Sequence, residues 1–184
     1  MIGITGKIGS GKDTIADYLV SKHNYTKLSL AEPIKSALAA MLDEPVENFY
    51  DRELKEQLIP ELGLSRRQLA EALGTEWGRY SLKNYTGDEN FWVKLLEYKI
   101  FKNNLQRTVV PDVRFDNEVN FIRENKGIII NVIRPDFTIK SDHISNNNNL
   151  SYDVRIYSNT STVEEFLASI ESEIQTIVNI LDLE

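Results

Sequence analysis

A glycine-rich run, Gly6, Lys7, Ile8, Gly9, Ser10, Gly11, Lys12, Asp13 and Thr14, follows a short apolar stretch from Met1 to Thr5 and leads into a segment of helical periodicity. Backbone N–H groups can close around an anion where no Cβ blocks the approach, and a following helix points its positive end at the same place. Lys12 adds a mobile ammonium for the terminal phosphates of a nucleotide. The spacing is that of a phosphate-binding P-loop with one departure: Asp13 stands where a Ser or Thr usually offers its hydroxyl to magnesium. Thr14 restores a hydroxyl one place later, within reach of an α-phosphate, while Asp13 could hold the metal directly or through water. A glycine-rich turn that binds nothing is disfavoured, because strand, loop, lysine and helix all agree. A regulatory nucleotide switch and an ATP-dependent kinase of small molecules both remain compatible with the loop.

Further along, Asp112 follows Val109, Val110 and Pro111. Proline is awkward inside a central strand, so the ladder is expected to stop there and leave Asp112 at the strand tip. A carboxylate in that position can orient hydrated magnesium or accept hydrogen bonds from an acceptor substrate. Arg114 and Glu118 lie just beyond at helical spacing, and Arg134 ends the next strand; either arginine could stabilise a transferring phosphoryl group. Arg66 and Arg67 fall in the first turn of an expected helix, where cations are disfavoured by about 0.3–1 kcal/mol each. A docked phosphate would offset that; the alternative is a pair of solvated arginines bound to Glu61 or Glu71. The run Gly74, Thr75, Glu76, Trp77, Gly78, Arg79, with Trp92 after it, could stack and hydrogen-bond a base, although tryptophan is more often core. His23, near a helix end, is assigned to structure, and His143 has the weaker claim of a loop residue.

The elements that must position these groups follow from the rest of the chain. With 184 residues and 41% hydrophobic content, one core with a small inserted subdomain is expected. The absence of cysteine excludes disulfides, zinc-thiolate sites and thiol nucleophiles, and fits a reducing compartment. No apolar run reaches membrane-spanning length and Met1 enters a strand at once, so a cytoplasmic protein without a signal peptide is expected. The net charge of −7 disfavours polymeric nucleic acid as a partner but not a small anion in a basic cleft.

Strands are expected at Met1 to Thr5, Thr26 to Leu30, Arg107 to Val110, Ile128 to Ile133 and Tyr152 to Tyr157. Helices are expected at Asp13 to His23, Ala31 to Leu42 and Asp116 to Asn125, and from the capping box at Thr162 and Glu165 onwards. Ile34, Ala37, Leu38, Met41 and Leu42 should form one apolar face. Val163, Phe166, Leu167, Ile170, Ile174, Ile177, Val178 and Leu181 should form another. This alternation implies an α/β fold: a doubly wound parallel sheet of about five strands flanked by helices, with ligands at the carboxyl ends of the strands. Residues 43–91 break the rhythm and read as a helical insertion without a convincing strand, holding a helix that starts at Ser65 with Gln68 and ends at Gly74. Residues 135–151, with Asn146 to Asn149 in a row, read as a mobile loop.

Gly6 to Thr14, Ala31-Glu32-Pro33-Ile34-Lys35, the segment from Gln68 to Arg79, and Asp112-Val113-Arg114-Phe115-Asp116-Asn117-Glu118 together resemble the bacteriophage-type deoxynucleoside monophosphate kinases. The resemblance spans most of the chain. It implies an enzyme of the P-loop nucleoside-monophosphate-kinase fold that transfers a phosphoryl group from ATP, with Mg2+, to a deoxynucleoside monophosphate, the helical insertion serving as the acceptor domain. Taken with the reading of the residues above, Gly6, Lys7, Gly9, Ser10, Gly11, Lys12, Asp13 and Thr14 are expected at ATP, and Asp13, directly or through water, at the metal. Arg66, Arg67, Gln68, Glu71, Gly74, Thr75, Trp77, Arg79, Trp92 and Asp112 fall to the acceptor, and Lys12, Asp13, Arg67, Asp112 and Arg114 to catalysis. A His-x-Ser-Glu pattern is expected near the mobile loop, but His143-Ile144-Ser145-Asn146 stands there instead. Closing of the insertion would exclude water. Small molecules are the expected partners, a homodimer is left open, and a phage-encoded chain would act in the host cytoplasm. A dephospho-coenzyme A kinase-like enzyme is the runner-up among kinases; a guanine switch is disfavoured because no Asn-Lys-x-Asp segment occurs.

Overall fold

The apolar run at the start of the chain forms β1 (Ile2–Thr5), buried along its whole length. Ile2 and Ile4 face a core shared with Ile15, Ala16 and Leu19 of α1 (Lys12–His23). Gly3, between them, points to the opposite face, where a Cβ would meet Ile122 and Ile129. This two-sided burial is what makes a central parallel strand read as a continuous apolar run. The computed structural model describes residues 1–135 and 150–183, and the chain divides into two compact units. Met1–Leu28 and Lys99–Glu184 form the first, Ser29–Tyr98 the second.

In the first unit, β2 (Thr26–Lys27), β5 (Thr108–Val110), β6 (Ile128–Ile133) and β7 (Val154–Tyr157) join β1 in a parallel sheet of order β2-β5-β1-β6-β7. Ile2 stands between Val109 and Ile128, so the loops after β1 and β5 leave the same edge of the sheet. α7 (Val163–Asp182) joins α1 on one face through Phe166, Ile170, Ile174, Ile177 and Val178. Its first turn is fixed by a capping box in which Thr162 Oγ accepts the Glu165 N–H at 3.2 Å. Val163, expected in the buried stripe, is exposed, because the burial begins only at Phe166. α6 (Asp116–Glu124) presents Val119, Phe121 and Ile122 as its buried side. β2 is shorter than the expected Thr26 to Leu30, since its ladder with β5 is only two residues long.

The second unit contains α2 (Glu32–Leu42), a 3-10 turn at Val46–Phe49, and α3 (Arg66–Glu71). Contrary to expectation it also holds two strands, β3 (Leu58–Ile59) and β4 (Leu64–Ser65), paired antiparallel. Two residues each are too few for an alternating pattern to register in the sequence. The buried face of α2 is Ile34, Leu38 and Ala39 rather than one including Met41, which is 75% exposed. The helix at Ser65 does not end at Gly74. It widens into a π-helix over Ala72–Ser81, then returns to α geometry in α4 (Leu82–Thr86), which Gly87 ends in the left-handed region at φ 82°. α5 (Phe91–Lys102) follows. His143 and 146–149 lie outside the described residues, as does nearly all of the loop expected at 135–151.

Candidate functional site

The loop between β1 and α1 is shaped by backbone conformations that favour glycine: φ is 139° at Gly6, 76° at Gly9 and 103° at Gly11. A Cβ at Gly6 would strike the carbonyl oxygen of Val132 and stand 2.9 Å from Ser10 Oγ. The loop therefore packs against β6 only with glycine at that position. Lys7 accepts at its carbonyl from the Ser10 N–H at 3.2 Å and from Lys12 Nζ at 2.7 Å, so the lysine lies folded across its own loop. Ser10 is buried, and its Oγ, turned inward toward Gly6, finds no hydrogen-bond partner among the described residues.

Charges gather around Lys12. Burial, then the Arg114 guanidinium, lower its pKa from 10.5 to about 8 against the opposing carboxylates of Asp13 and Asp112. Lys12, Asp13, Asp112 and Arg114 are thus electrostatically coupled at the edge of the sheet where β1 and β5 end. The turn after β5 is held in place from two sides. The Val113 N–H donates to the Ile4 carbonyl at 3.2 Å, and the buried Glu118 carboxylate accepts from the backbone N–H of Arg114 at 2.6 Å and Phe115 at 3.1 Å. Glu118 therefore fixes the segment that carries Asp112 and Arg114. Its signal in the sequence was its place at the third position of α6, where a carboxylate reaches back to free N–H groups. Lys27 gave no such signal: its ammonium lies 2.9 Å from Asp13 Oδ1 and 3.0 Å from Asp17 Oδ1, a contact that only the sheet register creates.

In the second unit, the start of α3 is tied into the fold by its capping box and a backbone bond. Ser65 Oγ accepts the Gln68 N–H at 3.2 Å, Gln68 Oε1 accepts the Ser65 N–H at 2.8 Å, and the Arg67 N–H donates to the Lys55 carbonyl at 2.9 Å. These bonds pair the Arg67 and Gln68 N–H groups at the start of α3 within the fold. Arg66 makes a fork onto Glu44 at 2.6 and 2.5 Å and donates to the Leu54 carbonyl. That pairing holds the Glu44 carboxyl below its usual range. Arg67 reaches Glu56 at 2.9 Å and Glu71 at 3.1 Å.

In the π-helix, Thr75 and Arg79 are buried. A Cβ at Gly78 would overlap the Trp92 indole, so this segment approaches α5 through the missing side chain. Trp92 is 6% exposed and its indole N–H donates to the Gly74 carbonyl at 2.7 Å. Trp77 is 44% exposed, resting edge-on against Phe91 and tilted against Trp92. Of the two tryptophans brought together, Trp92 is buried and Trp77 keeps an exposed ring.

The profile of the deoxynucleotide monophosphate kinase family matches residues 1–68 and 50–170. The chain belongs to this family. A putative deoxynucleotide monophosphate kinase of Acanthamoeba polyphaga mimivirus is 30% identical over 94% of this chain and 94% of its own. The deoxynucleoside-5'-monophosphate kinase of Escherichia phage T5 is 26% identical over 79% of this chain and 83% of its own. The deoxynucleotide monophosphate kinase of Enterobacteria phage T4 is 27% identical over 96% and 99%. As a deoxynucleotide monophosphate kinase, the chain is an ATP-dependent phosphotransferase that converts deoxynucleoside monophosphates to diphosphates. No helix among its described residues is long and apolar enough to cross a membrane.

Proposed function

We propose that this deoxynucleotide monophosphate kinase holds ATP in the loop Gly6 to Thr14 and receives its acceptor on residues of the second unit, Arg67 and Trp77 foremost. The observation that carries the donor half is Lys12 lying folded over a glycine-shaped loop amid Asp13, Asp112 and Arg114. Phosphoryl transfer asks little covalent chemistry of the protein, so positioning and charge neutralisation are its main tools. Lys12 swings from the Lys7 carbonyl to the terminal phosphates. Arg114, on a turn made rigid by Glu118, meets charge spreading over the transferred group. Asp112 accepts hydrogen bonds from the acceptor.

The donor set suits magnesium. The Asp13 and Asp112 carboxylates both act on the charge of Lys12, and Mg2+ ordinarily takes one or two carboxylates with phosphates and water supplying the rest. Asp13 and Asp112 would hold it, and when bound it neutralises charge on the β- and γ-phosphates. On the acceptor side, Arg67 grips the monophosphate in exchange for Glu56, the more exposed of its carboxylate partners, and Trp77 stacks the base with little preference among bases. Arg66, spent on Glu44, and Gln68, spent on its capping box, support Arg67, while Glu71 orients it. Thr75 and Arg79 shape the pocket from the buried side of the π-helix.

Calorimetric titration with ATP tests the donor assignment. Lys12→Ala is expected to keep the fold by circular dichroism while lowering kcat/KM by roughly 10^2–10^3-fold, the usual consequence of removing one preorganised donor. Retained turnover within a few-fold of wild type, with unchanged ATP binding, would move the donor site elsewhere.

A further inference from the structure

Lys27 stands outside every motif described above, yet its ammonium bridges the one carboxylate of the phosphate loop and a second carboxylate one turn further along α1. Building on the proposed roles of loop and metal, we propose that Lys27 is a positioning residue: it holds Asp13 in the nucleotide-free enzyme and releases it to the metal–nucleotide complex, with Asp17 keeping the ammonium paired meanwhile.

The geometry separates a fixed partner from a mobile one. Lys27 is anchored in β2, whose backbone is tied to β5 on either side by the Thr26 N–H to the Arg107 carbonyl at 2.8 Å and the Leu28 N–H to the Val109 carbonyl at 2.9 Å. Its side chain is 31% exposed, whereas that of Asp13 is 76% exposed and free to turn. An ammonium has three donors and can serve two carboxylates at once. Without Lys27, Asp13 and Asp17 would be like charges at helical i, i+4 spacing, a destabilising arrangement. With it, Asp13 can leave while Lys27 retains Asp17, so the release leaves no cation stranded. A divalent cation on phosphates offers Asp13 the stronger partner. Asp17 thereby sets how readily the exchange occurs: remove it, and Lys27 holds Asp13 more firmly.

An exposed pair of this kind shifts an equilibrium by roughly two- to fivefold. The test is Mn2+ titration of the ADP-saturated protein, with free Mn2+ read by electron paramagnetic resonance, alongside thermal melts. Lys27→Met is expected to tighten Mn2+ about two- to fivefold, Asp17→Asn to weaken it by a similar factor, and Lys27→Arg to track wild type. The deciding comparison is in an Asp13→Asn background, where Lys27→Met should change nothing further. An equal shift in that background would show Lys27 acting by its field alone and overturn the proposal. So would unchanged Mn2+ binding in both folded Lys27→Met and Asp17→Asn. Wild-type protein that shows no ADP-dependent Mn2+ binding would instead bring down the donor-site reading on which the proposal rests.

Discussion

Burial beside Arg114 leaves Lys12 with a pKa of about 8, so its charge is coupled to pH. Below pH 8 the ammonium is protonated in folded and unfolded chains alike, and the folded state bears the net cost of burial and of Arg114, on the order of 3 kcal/mol. Between about 8 and 10.5 the unfolded chain keeps a proton the folded chain has lost, so stability rises with pH across that window. Lys12→Ala should therefore raise the Tm of the ligand-free enzyme at pH 7 and flatten the rise above pH 8. Because a polyphosphate selects the charged form, ATP affinity should fall as pH climbs through 8, with proton uptake on binding. Calorimetry in buffers of different ionisation enthalpy measures both, and a pH-independent affinity between 7.5 and 9.5 would contradict it. At the acceptor, Arg67→Ala should lower kcat/KM for the monophosphate by about 10–150-fold, the range of a lost charged hydrogen bond, and leave the KM for ATP within twofold. Arg67→Lys should recover part, since a point charge keeps attraction but loses the fork. Unchanged acceptor kinetics, with the ion pairs to Glu56 and Glu71 simply lost, would assign Arg67 to structure.

At the scale of elements, the π-helix at Ala72–Ser81 shows what the sequence could and could not tell. Glycine at a helix end usually adopts positive φ, which marks Gly74 as an end in the sequence, yet the φ of Gly74 is not positive and Gly87 ends the run. Gly74 and Gly78 are used for their lack of bulk, one against Ile34 and the other against Trp92, and bulk against a distant partner leaves no local trace. α1, α6, β6 and α7 were legible because their apolar spacing is long and local. The two-residue strands β3 and β4 were not, being shorter than any period. The same segment supports a prediction about the two tryptophans. Quenching of tryptophan fluorescence by a deoxynucleoside monophosphate should survive in Trp92→Phe and vanish in Trp77→Leu. Trp92→Phe should also lower Tm, by loss of the indole bond to Gly74. Quenching lost only with Trp92 would reverse the assignment.

For the whole molecule, the parallel sheet explains why residues distant in sequence became legible as one site. β1 and β5 are neighbours in register, so Lys12 after one and Asp112 after the other had to emerge at the same edge. The P-loop spacing and the proline after β5 carried that information. What no local pattern carried was partnership across the fold: Arg66 with Glu44, Arg67 with Glu56, and Lys27 with Asp13 join segments whose proximity depends on tertiary packing. The central claim, a kinase that couples ATP at Lys12 to a deoxynucleoside monophosphate, is tested most directly by following ADP release while each deoxy- and ribonucleoside monophosphate is added in turn, with the products separated chromatographically. The expected result is ADP formation that depends on an added deoxynucleoside monophosphate and matches its diphosphate mole for mole, falling by roughly 10^2–10^3-fold in Lys12→Ala. ATP hydrolysis indifferent to every monophosphate, or no nucleoside diphosphate beyond ADP among the products, would contradict the account.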